Sequence, residues 1–131
     1  MSHEPVIVYE GEREWETWPR PEIPRRGHAF WKTLISADLT RSDSLTLGVA
    51  KLGSGEALHE HRHEQAEIYF VLTGSGVVTI EDESRTVGPG AAVFIPGNAL
   101  HACENPGATE LRVVYVLAAD SFEDVQYLFT E

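Results

Sequence analysis

Histidine side chains cluster in two short segments of this chain, and a glutamate follows the first segment. His61 and His63 stand two residues apart, Glu67 follows four residues later, and His101 comes after a Pro-Gly-Asn turn. Neutral imidazole binds zinc, copper, iron and nickel, and a carboxylate also suits harder ions. A shell of this kind with open coordination positions is typical of a catalytic metal site. The sequence therefore predicts a divalent transition-metal site, whose metal could be Fe, Mn, Zn, Ni or Co.

Strand periodicity explains how these residues can meet. Side chains two apart on a strand point to the same face, so His61 and His63 share one face, and Glu67 and Tyr69 share one on the apolar run that follows. His59 has the same parity as His61 and could compete as a ligand. We expect His59 to lie at the rim of the site or behind the ligands.

The elements that must position these residues are short strands. From Leu45 onward, apolar runs alternate with turn residues such as Gly53-Ser-Gly55 and Gly88-Pro-Gly90, which is typical of an all-β sandwich or barrel. Such strands predict a rolled antiparallel barrel whose interior can hold a ligand. The predicted strands are Leu45 to Leu52, Ala57 to His63, Glu67 to Thr73, Gly76 to Glu81, Ser84 to Val87, Ala91 to Ile95, Leu100 to Glu104 and Leu111 to Leu117.

The two ends of the chain differ from this series. Val6 to Tyr9 and Trp31 to Ser36 are predicted edge strands, and the proline-rich stretch 18–27 between them is predicted to be an extended wrapping segment. Ser121 is a predicted N-cap followed by an acidic first turn. The run from Val125 to Thr130 is predicted to be a last strand.

Length, charge and cysteine content limit the classes of function. The chain has 131 residues, enough for one ordinary domain, and a formal net charge of -11, which argues against binding nucleic acid or an anionic membrane surface. The sequence has no apolar stretch of transmembrane length and no signal-like N-terminus, so a cytoplasmic location is expected. Cys103 is the one cysteine, and we expect its thiol to face inward as a packing group.

The spacing of the two histidine segments resembles the cupin family. Gly55, His61-Arg-His63, Glu67 and Gly74 stand at the fixed positions of the first cupin motif, and Gly90, Pro96-Gly-Asn98, His101 and Asn105 at those of the second. Asn98 stands where the family usually has Gly, but Asn tolerates the left-handed backbone. The resemblance implies a cupin double-stranded β-helix, that is, an all-β jelly-roll barrel, with His61, His63, Glu67 and His101 as metal ligands.

The same resemblance implies one cupin domain over residues 1–131. Residues 1–30 would form an N-terminal edge strand and wrapping segment, 45–117 the barrel with both motifs, and 121–131 a C-terminal cap. Strands at both chain ends need edge partners, and the family often dimerises, so a homodimer is expected.

A narrower resemblance is to the small single-domain cupin dimethylsulfoniopropionate (DMSP) lyases. It is carried by the tract Ala29 to Asp38, by Glu67-Ile-Tyr69, by Gly97 to Ala102 and by the tail Asp120 to Tyr127. Those enzymes use a metal and a tyrosine base to cleave a sulfonium zwitterion into dimethyl sulfide and acrylate. The resemblance implies that Tyr69 is the base and that Tyr127 is a second tyrosine in the pocket.

Other functions stay open at this point. The same metal shell could serve an iron or manganese dioxygenase, and the same barrel could be a sugar isomerase or a non-catalytic small-molecule-binding protein, because a fold does not dictate a function. In each case the expected partner is a small molecule, for the lyase a small carboxylate.

Overall fold

Two antiparallel sheets make up the fold. The computed structural model describes residues 3–130, so Met1, Ser2 and Glu131 of the expected domain lie outside the described residues. Over the described residues the strands are β1 Phe30–Ile35, β2 Thr46–Leu52, β3 Ala57–Arg62, β4 Glu67–Thr73, β5 Gly76–Ile80, β6 Glu83–Val87, β7 Ala92–Ile95, β8 His101–Glu104, β9 Leu111–Leu117 and β10 Leu128–Phe129. Sheet A has the strand order β1-β2-β9-β4-β7 and sheet B the order β10-β3-β8-β5-β6.

Alternation of side chains along the strands builds the core between the sheets. On β4, Glu67, Tyr69 and Val71 are buried, whereas Ile68 and Phe70 are exposed. The inward residues of β9 follow the same period and meet β4 in direct register. This confirms the predicted shared face of Glu67 and Tyr69, and with it the all-β barrel expected from the sequence.

The pairing of β3 with β8 contains an irregularity next to the histidines. Leu58 lies opposite Cys103 and His61 opposite His101, so three steps along β3 match two steps along β8. A bulge of this kind changes which side chains point inward along the bulged strand. His61 therefore faces the interior together with Leu58, and His59 is turned outward.

Two segments outside the barrel strands run from sheet A to sheet B. The N-terminal strap, residues 16–27, begins with the bridge of Glu16 to Trp31 in β1 and ends with the bridge of Gly27 to Leu58 in β3. The C-terminal strap, residues 118–127, leads from the end of β9 to β10, which pairs with β3. Each strap carries aromatic residues over the interior.

Several expectations for the chain ends are corrected. Val6 to Tyr9 forms no strand, because no neighbouring strand pairs with it among residues 3–130. The stretch 18–27 is not extended: it forms a 3-10 turn at Arg20–Glu22 and the short helix α1 at Ile23–Arg26. Proline fits the first turn of a helix, and both elements have one there.

At the C-terminal end, the expected strand 125–130 shrinks to Leu128–Phe129. The predicted cap is confirmed, since Ser121 Oγ accepts a hydrogen bond from the Glu123 N–H at 3.1 Å, although the turn that follows is the 3-10 segment Phe122–Asp124. Within residues 3–130 there is no helix with the length and apolar character needed to cross a bilayer.

Candidate metal centre and its cavity

Three histidines meet inside the barrel. His61, His63 and His101 are buried, and one ring nitrogen of each lies within 4.8 Å of those of the other two. His61 and His101 face each other across β3 and β8 with ring centroids 4.2 Å apart, and His63 follows the end of β3. The structure thus brings together three of the four ligands predicted from the sequence, in a cluster that suits a metal ion.

Backbone carbonyls fix the orientation of each ring. Nδ1 of His61 donates to the His59 carbonyl at 2.7 Å, that of His63 to Gln65 at 2.9 Å, and that of His101 to Ala99 at 2.9 Å. A carbonyl oxygen can only accept, so Nδ1 carries the proton and Nε2 of a neutral ring keeps its lone pair. This second contact is the usual arrangement behind a metal-binding histidine.

The chemistry of the converging atoms fits a bound cation. His61 Nε2 is buried and has no hydrogen-bond partner within the described part of the chain. Glu67 Oε1 lies 3.2 Å from His63 Nε2 and 3.4 Å from His101 Nε2. Because these atoms all present lone pairs, a proton or a metal ion has to lie among them. Glu67 therefore stands where a fourth ligand would be.

Burial and neighbouring charges shift the pKa values in the cluster. Burial, and next the nearby His101, lower the pKa of His61 from 6.5 to about 3, so its ring is neutral at physiological pH. Burial opposes ionisation of Glu67, but the imidazoles of His101 and His63 outweigh it and hold the pKa of Glu67 below its usual range. The neutral imidazole and the carboxylate are the forms that bind metals.

His59 does not join the cluster. Its side chain is exposed, and Nδ1 lies 3.1 Å from the Arg25 carbonyl oxygen in α1. The bulge in β3 is the reason that its parity with His61 does not bring it inside. His59 thus contacts the N-terminal strap.

A cavity of about 60 Å³ adjoins Glu67. A water molecule needs roughly 10–15 Å³ of such space, so the cavity has room for a compact ligand the size of about five waters. Aromatic and aliphatic side chains make up most of its walls, and the straps contribute part of them. The aromatic residues that line it include Trp18, Trp31, Tyr69, Tyr115, Phe122 and Tyr127.

The two tyrosines predicted from the sequence both line this cavity. Tyr69 lies two residues beyond Glu67 on β4, and the ring of Tyr127 lies 5.1 Å from that of His61 and 5.3 Å from that of His63. Burial, and next the charge of Glu67, raise the pKa of both tyrosines well above the ordinary value. In the absence of a nearby positive charge, both are neutral phenols.

Sequence reasoning missed part of the cavity wall. Tyr115 lies directly opposite Tyr69 in the β4 and β9 pairing, and its hydroxyl is 2.8 Å from Thr33 Oγ1. The parity of β9 could have indicated this residue. Trp18 contacts Tyr127 with ring centroids 5.4 Å apart, and no local pattern places it there. The expectation for Cys103 is confirmed: it faces inward, and burial raises its pKa to about 12.

Comparison with known proteins agrees with this fold and cluster. Residues 48–117 match the family model described as the cupin domain, and the chain belongs to the cupin family. This confirms the family expected from the two motifs.

One curated relative is similar over most of the chain. Over 107 aligned residues the chain is 39% identical to dimethylsulfoniopropionate lyase DddW from Ruegeria pomeroyi, and the aligned region covers 82% of this chain and 70% of that protein. The narrower resemblance seen in the sequence is thereby confirmed as a similarity.

Solved structures support the fold alone. The polyketide cyclase RemF from Streptomyces resistomycificus is 20% identical with a TM-score of 0.78, over 98% of this chain and 87% of RemF. A cupin-2 domain protein from Rhodospirillum rubrum is 18% identical with a TM-score of 0.77, over 100% of this chain and 83% of that chain.

Proposed function

We propose that this cupin is a metal-dependent lyase that cleaves the carbon–sulfur bond of a small sulfonium carboxylate, with DMSP as the first candidate substrate. One observation carries the proposal: Glu67, Tyr69 and Tyr127 share a small cavity beside the histidine cluster, in a chain 39% identical to a DMSP lyase. The dioxygenase, isomerase and binding-protein alternatives have no comparable support from the cavity.

The metal would be held by His61, His63, Glu67 and His101, since their lone pairs converge. A bound divalent ion would supply Lewis-acid stabilisation for the substrate carboxylate and for negative charge developing next to it, and would lower the pKa of adjacent groups. Its identity among Fe, Mn, Zn, Ni and Co is a matter for the experiment below.

Tyr69 is the proposed general base. Burial and Glu67 favour its neutral phenol, so it can accept a proton only after positive charge in the site has favoured the phenolate. The phenolate takes the proton from the carbon next to the carboxylate. That electron pair forms the new double bond while the carbon–sulfur bond breaks towards sulfur, which gives acrylate and dimethyl sulfide.

The cavity wall supports a compact cationic group. The ring centroids of Trp18 and Trp31 lie 4.7 Å apart, and Trp18 also contacts Tyr127 edge-on. A cation that has lost its water shell is stabilised by aromatic faces. Tyr127 shapes the side of the pocket nearest the histidines and orients the sulfonium end of the substrate.

A homodimer is part of the same proposal. Ile68, Phe70, Leu72 and Phe94 form an apolar strip on the outer face of sheet A, and each is 42 to 62% exposed. Ile68 pairs directly with Phe94, so the strip is continuous across β4 and β7. Contiguous exposed apolar patches commonly mark protein contacts.

The decisive experiment is an anaerobic assay. The metal-free protein is loaded in turn with iron, manganese, zinc, nickel and cobalt, incubated with DMSP, and the headspace is analysed for dimethyl sulfide. We expect release with at least one metal and none from the metal-free protein. If every loaded form fails to release dimethyl sulfide, the lyase proposal is wrong, and oxygen consumption with small phenols and diketones becomes the next assay.

A further inference from the structure

Two tracts that lie far apart in the sequence meet where the C-terminal strap begins. Ser36 and Asp38 follow β1, and Ser121 lies near the start of the strap, 83 residues beyond Asp38. The Asp38 carboxylate accepts a hydrogen bond from Ser121 Oγ at 2.9 Å and another from Ser36 Oγ. We refer to Ser36, Asp38 and Ser121 as the serine–aspartate knot.

Each serine of the knot also holds a backbone N–H of the strap. Ser36 Oγ accepts from the Phe122 N–H at 2.8 Å, and Ser121 Oγ accepts from the Glu123 N–H at 3.1 Å. A hydroxyl that donates to a carboxylate becomes a better acceptor, so the Asp38 charge strengthens both contacts. Ser36 and Ser121 are buried, and an unpaired hydroxyl there would be costly.

The knot is the upstream anchor of the segment that carries Tyr127. Downstream, Leu128 and Phe129 pair with Arg62 and His61 in β3. Between the two anchors lie Phe122 and Tyr127, whose ring centroids are 6.1 Å apart. The position of the Tyr127 ring against the histidines therefore depends on both ends of this short segment.

We propose that Asp38, acting through Ser36 and Ser121, is a positioning residue that holds the C-terminal strap so that the Tyr127 ring lies against His61 and His63. The proposal rests on the proposed function only in placing Tyr127 in the active site. The hydrogen bonds of the knot give a physical reason why the Ala29 to Asp38 tract and the Asp120 to Tyr127 tail occur together in this chain. The metal site alone does not explain why both are present.

Other hydrogen bonds hold Ala119 and Asp120, the two residues just before Ser121. The effect of losing the knot can therefore be separated from unfolding of the barrel. The Ala37 N–H donates to the Asp120 carbonyl at 2.8 Å, the Ser44 N–H to Asp120 Oδ1 at 2.7 Å, and Thr46 Oγ1 to the Ala119 carbonyl at 2.9 Å. Loss of the knot leaves these contacts in place. We therefore expect loss of order from Phe122 onward, with the barrel retained.

The test uses zinc-loaded protein labelled with 3-fluorotyrosine, and the ¹⁹F resonance of Tyr127 is assigned with Tyr127→Phe. In Asp38→Ala, the Tyr127 resonance is expected to shift and broaden, while that of Tyr9, which is 71% exposed and does not line the cavity, stays in place and zinc stoichiometry is unchanged. Ser121→Ala should act in the same way. Asp38→Asn keeps an acceptor oxygen and should restore part of the wild-type spectrum.

Two control variants separate positioning from stability. Val78→Ala opens a cavity in the core on β5 and lowers the melting temperature with the knot intact. Asp82→Ala removes a carboxylate from the exposed turn between β5 and β6. Neither should move the Tyr127 resonance.

Kinetics give a second readout if the wild type releases dimethyl sulfide. Misplacement of an active-site group costs up to about a hundredfold, so Asp38→Ala should lose about ten- to a hundredfold in kcat/KM, mainly through a higher KM as in Tyr127→Phe, and Asp38→Asn should lose less. An unchanged Tyr127 resonance in Asp38→Ala, with only the melting temperature lowered as in Val78→Ala, overturns the proposal. Should Asp38→Ala not fold, Ser121→Ala and Asp38→Asn decide by the same spectrum. Failure of wild-type lyase activity leaves this spectral test intact.

Discussion

Each histidine of the cluster is oriented by a carbonyl only two residues away in the chain: His61 by His59, His63 by Gln65 and His101 by Ala99. The direction of each Nε2 lone pair is thus set by local backbone geometry. Long-range folding has only to bring β3, β4 and β8 together. This local control explains why spacing along the sequence is a good guide to such a site.

Substitution of a single ligand should disable metal binding. His101→Ala removes one of the converging lone pairs and leaves Glu67 without one of its imidazole neighbours. Loss of groups that merely support a ligand costs about 10- to 100-fold in affinity, so we expect at least that loss here. Isothermal titration with zinc measures it. His59→Ala is the matched control and should bind like the wild type; full affinity in His101→Ala would show that the ligand assignment is wrong.

Removal of the Tyr69 hydroxyl should separate catalysis from metal binding. General-base removal typically lowers the rate by about 10²- to 10⁴-fold, so Tyr69→Phe should keep zinc affinity and melting temperature while losing most DMSP turnover. Tyr127→Phe should mainly raise KM, because its ring shapes the pocket. Steady-state headspace kinetics distinguish the two effects. Wild-type turnover in Tyr69→Phe would remove that residue from the mechanism.

At the scale of single residues, the sequence predicts the site residues that follow strand parity and motif spacing. His61, His63, Glu67 and His101 are predicted on that basis. The structure clusters the three histidines and places Glu67 Oε1 3.2 Å from His63 Nε2 and 3.4 Å from His101 Nε2. Tyr115 follows the same parity, because it lies opposite Tyr69 in the pairing of β4 with β9. Trp18 could not be predicted, because its place in the cavity depends on the path of an irregular strap.

At the scale of elements, the bulge between Leu58 and His61 decides which histidines enter the barrel. One additional residue on β3 turns His59 towards α1 and keeps His61 opposite His101. The number of residues in a strand does not reveal such a bulge, because the bulge depends on the pairing partner. For this reason parity alone leaves His59 as a competing ligand, whereas the structure turns its side chain outward.

The N-terminal strap should be sensitive to its last residue. Gly27 has φ 95°, and a Cβ there would overlap the carbonyl oxygen of Ala57. Gly27→Ala should therefore cost more than about 1 kcal/mol and loosen the strap. Thermal unfolding and limited proteolysis near α1 measure the two effects. Gly11→Ala, where a Cβ meets open space, should change neither; equal melting temperatures for both variants would contradict the bridge of Gly27 to Leu58 as an anchor.

The sequence predicts the ends of the barrel strands to within one residue, but it does not predict the structure of the straps. Barrel strands have alternating or continuous apolar runs between turn residues, and those signals are local. Val6 to Tyr9 is a similar apolar run, yet whether it forms a strand depends on whether a sheet edge is available to pair with it. The stretch 18–27 is rich in proline, which is compatible with both an extended segment and the first turn of a helix.

At the scale of the whole molecule, the histidine cluster should make the metal-free protein sensitive to acid. Below pH 6.5 the unfolded chain protonates His61, whereas the folded state resists protonation down to about pH 3. The unfolded state binds more protons in this interval, so stability falls as the pH falls, by up to about 1.4 kcal/mol per pH unit. The lowered pKa of Glu67 adds to the loss below its ordinary value of 4.5.

Urea unfolding of the metal-free protein between pH 7 and pH 4 tests this dependence. His61→Gln should flatten the curve between pH 6.5 and 4.5, and His59→Gln, at an exposed position, should leave it unchanged. Equal slopes in wild type and His61→Gln would remove His61 as the cause.

The exposed strip on sheet A leads to a prediction about assembly. Burial of Ile68, Phe70, Leu72 and Phe94 against a second copy would remove the largest side chains of that strip from water. Light scattering should give twice the chain mass at micromolar concentration. Phe94→Glu should give the monomer, with Glu104→Gln as a control on another strand. A monomer mass for the wild type across the micromolar range rejects the dimer.

The two crossing straps have a consequence for how this protein can change over evolutionary time. The residues proposed to hold the ion belong to the sheets and their connections, whereas Trp18, Phe122 and Tyr127, which form part of the cavity wall, come from segments outside the barrel strands. A new substrate preference can therefore arise by substitution in the straps while the metal chemistry is inherited intact. A mutant library confined to residues 16–27 and 118–127 is the natural starting point for directed evolution of this scaffold.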